Sequence, residues 1–96
     1  MSLFWFNLQK LFFMFVVYAL YSKTYDKIYI GFTSNIEERF KSHNELAQKG
    51  WTIKFRPWEI IYQEHHLLKA DAMKREKELK TASGRNFIRS LIRNGR

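Results

Sequence analysis

The sequence predicts an α+β domain, an α/β sandwich in which helices flank a three-stranded, mainly antiparallel sheet in the order β-β-α-β-α-α. Three observations favour this class. Two strand-like runs of β-branched and aromatic residues, 15–22 and 27–32, flank a short polar loop. A third strand-like run occupies 58–64, and three other segments place apolar residues at helical spacing. At 96 residues the chain can bury one core, so we expect a single folded domain.

The first two strands are predicted to form a hairpin. If Ser22 pairs with Lys27 across the loop, Tyr18 lies opposite Gly31 and diagonal to Tyr29. Side chains alternate along a strand, so all three positions share one face of the sheet. Two phenols then lie on one surface beside a glycine.

The first helix is predicted to begin at Ser34, which opens a capping-box pattern, and to run to about Lys49, where Gly50 ends it. Its apolar stripe comprises Ile36, Phe40, Leu46 and Ala47. Arg39 and His43 fall on the same stripe, one turn apart. Both should therefore point towards the core, where polar groups need partners.

Residues 50–57 are predicted as a loop before the third strand, and 70–80 as a second helix. The apolar stripe of that helix includes a single acid, Glu76, whereas its other acidic residues project to the opposite face. Ser83 can cap a last helix that is apolar on one side and rich in arginine on the other.

Composition limits the classes of partner. Seventeen Lys and Arg against nine Asp and Glu give a formal charge of +8, which favours polyanions such as nucleic acid. No cysteine is present, which excludes disulfides and thiolate metal sites and fits a reducing, cytoplasmic location. His65 and His66 alone lack zinc-ligand spacing and are expected to face solvent at the start of the second helix.

The N-terminus is expected to lie outside the domain, with residues 1–13 an apolar extension and 14–96 the domain itself. The apolar run 11–20 is about half of the roughly 20 residues that a membrane span needs. Lys10 separates it from the apolar residues nearer the N-terminus, so no integral membrane segment is predicted. The alternative for residues 1–13 is an extra packing helix or a dimer contact.

Five of these residues supply what phosphodiester hydrolysis requires, and they are Tyr18, Tyr29, Arg39, His43 and Glu76. A carboxylate can hold a divalent cation that polarises a phosphate. A guanidinium can neutralise charge on the non-bridging oxygens. A phenol or an imidazole can position or deprotonate the attacking water if the site adjusts its pKa.

An ordered set of motifs accompanies these residues. Val16-Val17-Tyr18 precedes Tyr29-Ile30-Gly31, with the two tyrosines eleven residues apart, and Arg39, His43 and the segment 72–80 follow. This set resembles the GIY-YIG endonuclease superfamily, most of all its small single-domain bacterial members related to the incision domain of nucleotide excision repair. The resemblance covers roughly residues 14–93. It departs from the family pattern at Val16 and Val17, which replace Gly and Ile, and at Phe32, where many relatives are polar or basic.

The resemblance implies a three-stranded sheet and one Mg²⁺ or Mn²⁺ ion held mainly by Glu76. It places Arg39 at the scissile phosphate and the two tyrosines around the attacking water, with Tyr18 as general base and Tyr29 as alternative or partner. His43 matches a histidine or tyrosine of the family, where a proton relay and plain core packing are the two interpretations. Asn86 is the nearest candidate for a supporting asparagine.

Residues that can contact nucleic acid are basic or adjoin the site, and they are Gly31, Lys54, Arg56, Arg85 and Arg89. Trp51, Phe55 and Trp58 either stack bases beside them or cover the sheet. The leading hypothesis is a metal-dependent endonuclease acting on DNA. The alternatives are a nucleic-acid-binding module with little turnover and a domain that docks on a membrane or a protein; no oligomeric interface is specified.

Overall fold

A computed structural model describes residues 15–95 and confirms the predicted element order. The strands are β1 (Phe15–Ser22), β2 (Lys27–Thr33) and β3 (Glu59–His66), and the α-helices are α1 (Ile36–Lys41), α2 (Lys69–Leu79) and α3 (Ala82–Gly95). A π-helical turn, Ser42–Leu46, continues α1, and a 3-10 helix spans Trp51–Phe55. The predicted extension 1–13 lies outside the described residues.

The sheet has the strand order β2-β1-β3, and both strand pairs are antiparallel. Ser22 pairs with Lys27 and Tyr18 with Gly31, which confirms the register predicted for the hairpin. Asp26 closes the turn with a φ of 53°, a left-handed conformation that Asp tolerates better than most residues. The α+β class and the hairpin both follow from local sequence patterns.

The two faces of the sheet are covered by different elements. Val17, Ala19, Ile28 and Ile30 pack against Ala72 and Leu79 of α2 and Ile88 of α3. We call this surface the α2/α3 face. On the other side Val16, Tyr18, Leu20 and Trp58 pack with Tyr29 and with Ile36 and Phe40 of α1. We call this second surface the tyrosine face, because both candidate tyrosines belong to it.

The first helix differs from the prediction at both ends. Asn35, not Ser34, is its N-cap, since the Asn35 side chain accepts a hydrogen bond of 3.1 Å from the backbone N–H of Glu38. The helical segment ends at Leu46 instead of Lys49, and Gly50 adopts a φ of 118° ahead of the 3-10 helix.

Arg56 accounts for the early end of that helical segment. Its guanidinium donates hydrogen bonds to the carbonyls of Ser42, His43 and Ala47 at 3.2, 2.7 and 2.8 Å. Carbonyls at a helix end need such partners. A side chain distant in sequence therefore terminates the turn, and local capping rules do not reveal it.

Two other element boundaries differ from the prediction. Thr81, not Ser83, caps α3, because its hydroxyl accepts a hydrogen bond of 3.2 Å from the backbone N–H of Gly84. Strand β3 extends to His66, so His65 and His66 pair with the start of β1 and do not open the second helix. His65 is exposed, whereas His66 is partly buried and lies 2.8 Å from the Glu64 carboxylate.

Candidate functional site

The hairpin places Tyr18 and Tyr29 side by side on the tyrosine face. Their ring centroids are 6.2 Å apart, and Tyr18 is 1% exposed. Gly31 faces them from β2: a Cβ atom there would lie 2.7 Å from the Tyr18 phenol oxygen and 3.1 Å from Cε1 of Tyr29. The glycine leaves room for the Tyr18 ring, so its first role is to shape the site.

We expect Gly31→Ala to displace the Tyr18 hydroxyl, because the added methyl group would overlap it. Overpacking of this kind costs about 1–3 kcal/mol of stability. Urea unfolding should show that loss, and any cleavage rate should fall with it. Gly95→Ala is the matched control, since nothing lies within 4 Å of a Cβ at Gly95. Equal behaviour of the two variants would contradict the prediction.

His43 connects the π-helical turn to the tyrosines. The side chain is buried, as its position on the apolar stripe predicted. Its Nε2 lies 2.9 Å from the Tyr18 hydroxyl, and its Nδ1 lies 3.1 Å from the hydroxyl of Thr52. The imidazole also contacts Tyr29, with ring centroids 4.6 Å apart. Three side chains from β1, the turn and the 3-10 helix thus form one hydrogen-bonded chain.

Arg39 corrects the stripe prediction, because its side chain is exposed and not directed into the core. The stripe assumed one regular helix, whereas α1 has only six residues. The guanidinium nevertheless reaches the site, where a hydrogen bond to the Tyr18 phenol and the nearby Tyr29 raise the pKa of Arg39. An exposed position keeps the cation hydrated while its tip lies at the edge of the site.

Burial raises the pKa of Tyr18 to about 12, and neighbouring Tyr29 adds to this, whereas Arg39 opposes it. Burial also lowers the pKa of His43 to about 4, with the charges of Arg39 and Arg56 acting in the same direction. At neutral pH both side chains are uncharged. Burial therefore outweighs the lowering effect of Arg39 on the Tyr18 pKa.

The neutral imidazole of His43 has a single N–H, so it donates at one ring nitrogen and accepts at the other. With the proton on Nδ1, Nε2 accepts from the Tyr18 hydroxyl and Nδ1 donates to Thr52; the other tautomer reverses both directions. The first tautomer is the one in which Nε2 can take a proton from Tyr18.

The depressed pKa of His43 predicts a specific pH dependence of stability. Between about 4 and 6.5 the unfolded chain binds a proton at this histidine and the folded chain does not. The free energy of unfolding should therefore fall as the pH falls through that window. His43→Gln removes this contribution, so its melting temperature should decline less steeply than that of the wild type. Parallel pH profiles in circular dichroism melts would contradict the prediction.

Glu76 approaches from α2, which packs on the α2/α3 face. Its side chain is 19% exposed and pairs with Lys80, with 3.4 Å between Oε2 and Nζ. Its charge is the smallest of the causes that raise the pKa of Tyr18, so the carboxylate lies within electrostatic reach of that tyrosine. Within residues 15–95 no group of three or more His, Asp or Glu is arranged to hold a metal. A single carboxylate fits Mg²⁺, which commonly takes its other ligands from water and substrate phosphate.

The remaining basic candidates lie in different surroundings. Arg56 is bound to three backbone carbonyls, and Arg89 donates to the carboxylate and the carbonyl of Asp26 at 2.7 and 3.1 Å. Arg85 and Asn86 are exposed on α3. Lys54 is exposed on the 3-10 helix next to the tyrosine face.

The two tryptophans of this region, Trp51 and Trp58, differ in exposure. Trp58 is 3% exposed and donates its indole N–H to the Thr52 carbonyl, so it belongs to the core. Trp51 is 46% exposed. Thr52 is the site residue that sequence reasoning missed, because a threonine in a predicted loop gives no signal of a buried contact with a histidine nine residues away.

The fold and the tyrosine–histidine site define the class of protein. A family model described as the GIY-YIG catalytic domain matches residues 14–89. The chain belongs to this family, as its motifs suggested. Family membership indicates a nuclease-type domain whose substrate is nucleic acid. No solved structure matches the chain, and none of the helices in residues 15–95 is long and apolar enough to cross a membrane.

Three relatives come from staphylococci, and each is called a UPF0213 protein. The chain is 35% identical over 66 residues to the one from Staphylococcus haemolyticus, covering 69% of this chain and 80% of the relative. It is 37% identical over 64 residues to one from Staphylococcus saprophyticus, and 32% over 64 residues to one from Staphylococcus aureus; each match covers 67% of this chain and 78% of the relative. These names state no activity.

Proposed function

We propose that the chain is a metal-dependent endonuclease that hydrolyses phosphodiester bonds, in DNA above all, by in-line attack of water at a one-metal site. The products would have 3′-hydroxyl and 5′-phosphate ends. The observation that best supports this is the chain of hydrogen bonds from Tyr18 through His43 to Thr52, beneath an arginine. A structural tyrosine needs only one partner, whereas this arrangement provides a route for a proton.

Tyr18 is the proposed general base, acting with His43. The attacking water gives a proton to the Tyr18 oxygen as the phenol passes its own proton to Nε2 of His43, 2.9 Å away. In the tautomer with its proton on Nδ1, His43 donates to the Thr52 hydroxyl, and its Nε2 can accept the proton. A bound phosphate would offset the charge of Arg39, one of the groups that depress the His43 pKa, and so make His43 a better acceptor. Tyr29 is the alternative base or orients the water.

Arg39 is the proposed phosphate ligand. Its exposed guanidinium already lies against the Tyr18 hydroxyl, so a phosphate bound there would sit beside the base. A planar guanidinium can donate two parallel hydrogen bonds to phosphate oxygens and stabilise the charge that develops on them. Its exposure leaves these donors accessible to a large polymer.

Glu76 would hold the divalent cation, Mg²⁺ or Mn²⁺. When bound, such an ion polarises the phosphate and stabilises the leaving oxygen. The carboxylate fits this role because it is mostly shielded and close enough to influence Tyr18, and among the described residues one ion pair, the 3.4 Å contact with Lys80, opposes metal binding. Metal binding would require the Glu76 carboxylate either to release Lys80 or to contact the lysine and the metal at the same time.

A binding module with little turnover is the second candidate. Two observations favour it. The Tyr18 pKa of about 12 means that the proposed base is protonated at neutral pH, and the Glu76 carboxylate is paired with Lys80. This candidate predicts nucleic-acid affinity with no metal-dependent cutting.

A cleavage panel distinguishes the two. Labelled linear, nicked, branched and single-stranded DNA, with an RNA counterpart, would be incubated with Mg²⁺, Mn²⁺ or EDTA. We expect the wild type to cut only with metal, and Arg39→Ala to cut at least about 10²-fold more slowly. Lys41→Ala is the matched control, an exposed cation on the same helix. Binding without cutting of any substrate would replace the enzyme with the binding module.

A further inference from the structure

Four aromatic residues form a continuous row from the site to the surface of the domain. The ring of Tyr29 lies 6.5 Å from that of Trp51 at an interplanar angle of 28°. Trp51 contacts Phe55 at 4.6 Å, and Phe55 contacts Tyr25 edge-on at 5.5 Å. We call Tyr25, Tyr29, Trp51 and Phe55 the aromatic shelf.

The shelf is exposed where a core cluster would be covered. Trp51 is 46% exposed and Tyr25 is 50% exposed, although Trp58, 5.9 Å from Trp51, is only 3% exposed. The fold therefore buries the indole of Trp58 and leaves the neighbouring indole of Trp51 about half exposed. Exposed tryptophan and tyrosine beside a catalytic site are typical of a binding surface, because their faces gain from contact with a flat apolar ligand.

Positive charge borders the shelf. The Lys27 ammonium lies 5.6 Å from the centre of the Phe55 ring, and Lys54 is exposed on the same 3-10 helix as Trp51. Arg39 lies at the site end, against Tyr18. Aromatic faces flanked by cations are the combination that binds unpaired nucleotides, in which bases stack and phosphates pair with the charges.

We propose that the aromatic shelf stacks an unpaired nucleobase adjacent to the scissile phosphate, with Trp51 as the principal contact. The proposal rests on the proposed function and adds a substrate class, namely nucleic acid that is single-stranded or has an unpaired base at the cleavage point. Bases inside a continuous duplex already stack on each other and present no face to a side chain unless they flip out, which costs free energy. Because Trp51 adjoins Tyr29, a base on it places its phosphate near Arg39.

The test measures binding without chemistry. Fluorescence anisotropy in EDTA would give the dissociation constants of a labelled oligonucleotide as a single strand and as the matched duplex. We expect Trp51→Leu to weaken single-strand binding about tenfold, equivalent to about 1.4 kcal/mol, and duplex binding less than about twofold. Trp51→Phe should retain most of the affinity because it keeps an aromatic face. Thermal melts would confirm that each variant is folded.

Phe87→Leu is the matched control. Phe87 is 40% exposed but packs edge-on against Tyr62, whose ring belongs to the α2/α3 face. Loss of one exposed aromatic there should change neither dissociation constant. If Trp51→Leu weakens single strand and duplex equally, or weakens neither, the shelf does not select unpaired bases and the proposal is wrong.

The experiments distinguish a wrong shelf proposal from a wrong nuclease proposal. If the wild type cuts DNA and Trp51→Leu leaves the ratio of single-strand to duplex cutting unchanged, the shelf is refuted and the nuclease stands. If the wild type cuts nothing but loses single-strand affinity on Trp51→Leu, the shelf stands and the nuclease is refuted.

Discussion

Glu76→Gln is expected to abolish metal-dependent cleavage, by about 10³-fold or more, while the protein still folds and binds nucleic acid. The amide has nearly the shape of the carboxylate but lacks the charge that a divalent cation requires. Loss of the 3.4 Å contact with Lys80 is a minor effect, because half-exposed ion pairs contribute about 0–1 kcal/mol. The measurement is the cleavage rate against metal concentration, beside a binding curve in EDTA.

Glu78→Gln is the control for that experiment. Glu78 lies on the same helix, is 53% exposed, and pairs with Arg75 at 3.6 Å. Its variant should cut at the wild-type rate. If Glu76→Gln retained full activity at saturating Mg²⁺, the metal would be held elsewhere and the assignment of Glu76 would be abandoned.

Tyr18→Phe is expected to lower the cleavage rate by about 10²–10⁴-fold, the usual range for loss of a general base. The variant removes only the phenol oxygen, which lies 2.9 Å from Nε2 of His43 and interacts with Arg39. Stability should fall by about 1–3 kcal/mol, because the buried Nε2 of His43 loses its partner while the ring still fills its place. Rates at matched folding, with substrate binding measured separately, give the result.

A double variant separates a relay from independent roles. If Tyr18 and His43 move one proton in concert, Tyr18→Phe combined with His43→Gln should cut no more slowly than the slower single variant. Additive losses would mean that the two side chains act separately. Tyr29→Phe tests the other phenol, and a larger loss there than at Tyr18 would transfer the role of base to Tyr29.

The sequence was sufficient for the half of the site that depends on the hairpin. Strand alternation and the length of the polar loop together fixed Tyr18 opposite Gly31, and the structure has that pairing. His43 was also correctly predicted as buried. Both results depend on periodicity over a few residues, which short segments retain after they pack.

The sequence was insufficient where distant partners decide the outcome. Arg39 was expected in the core, but the short α1 and the π-helical turn after it break the regular stripe. Arg56 and Arg89 looked like phosphate contacts, yet their guanidiniums bind backbone and side-chain acceptors 9 to 63 residues away. Thr52 became a site residue only through its contact with His43. No pattern within a helix or strand encodes such pairings.

Arg56 links the order of the site to a side chain outside it. The sheet is maintained by apolar packing on both faces, whereas the end of the turn that presents His43 is tied by three hydrogen bonds from one guanidinium. A change at Arg56 would leave three carbonyls of that turn without these donors and leave the sheet packing intact. The position of His43 therefore depends on a residue that touches neither tyrosine through a hydrogen bond in the described part of the chain.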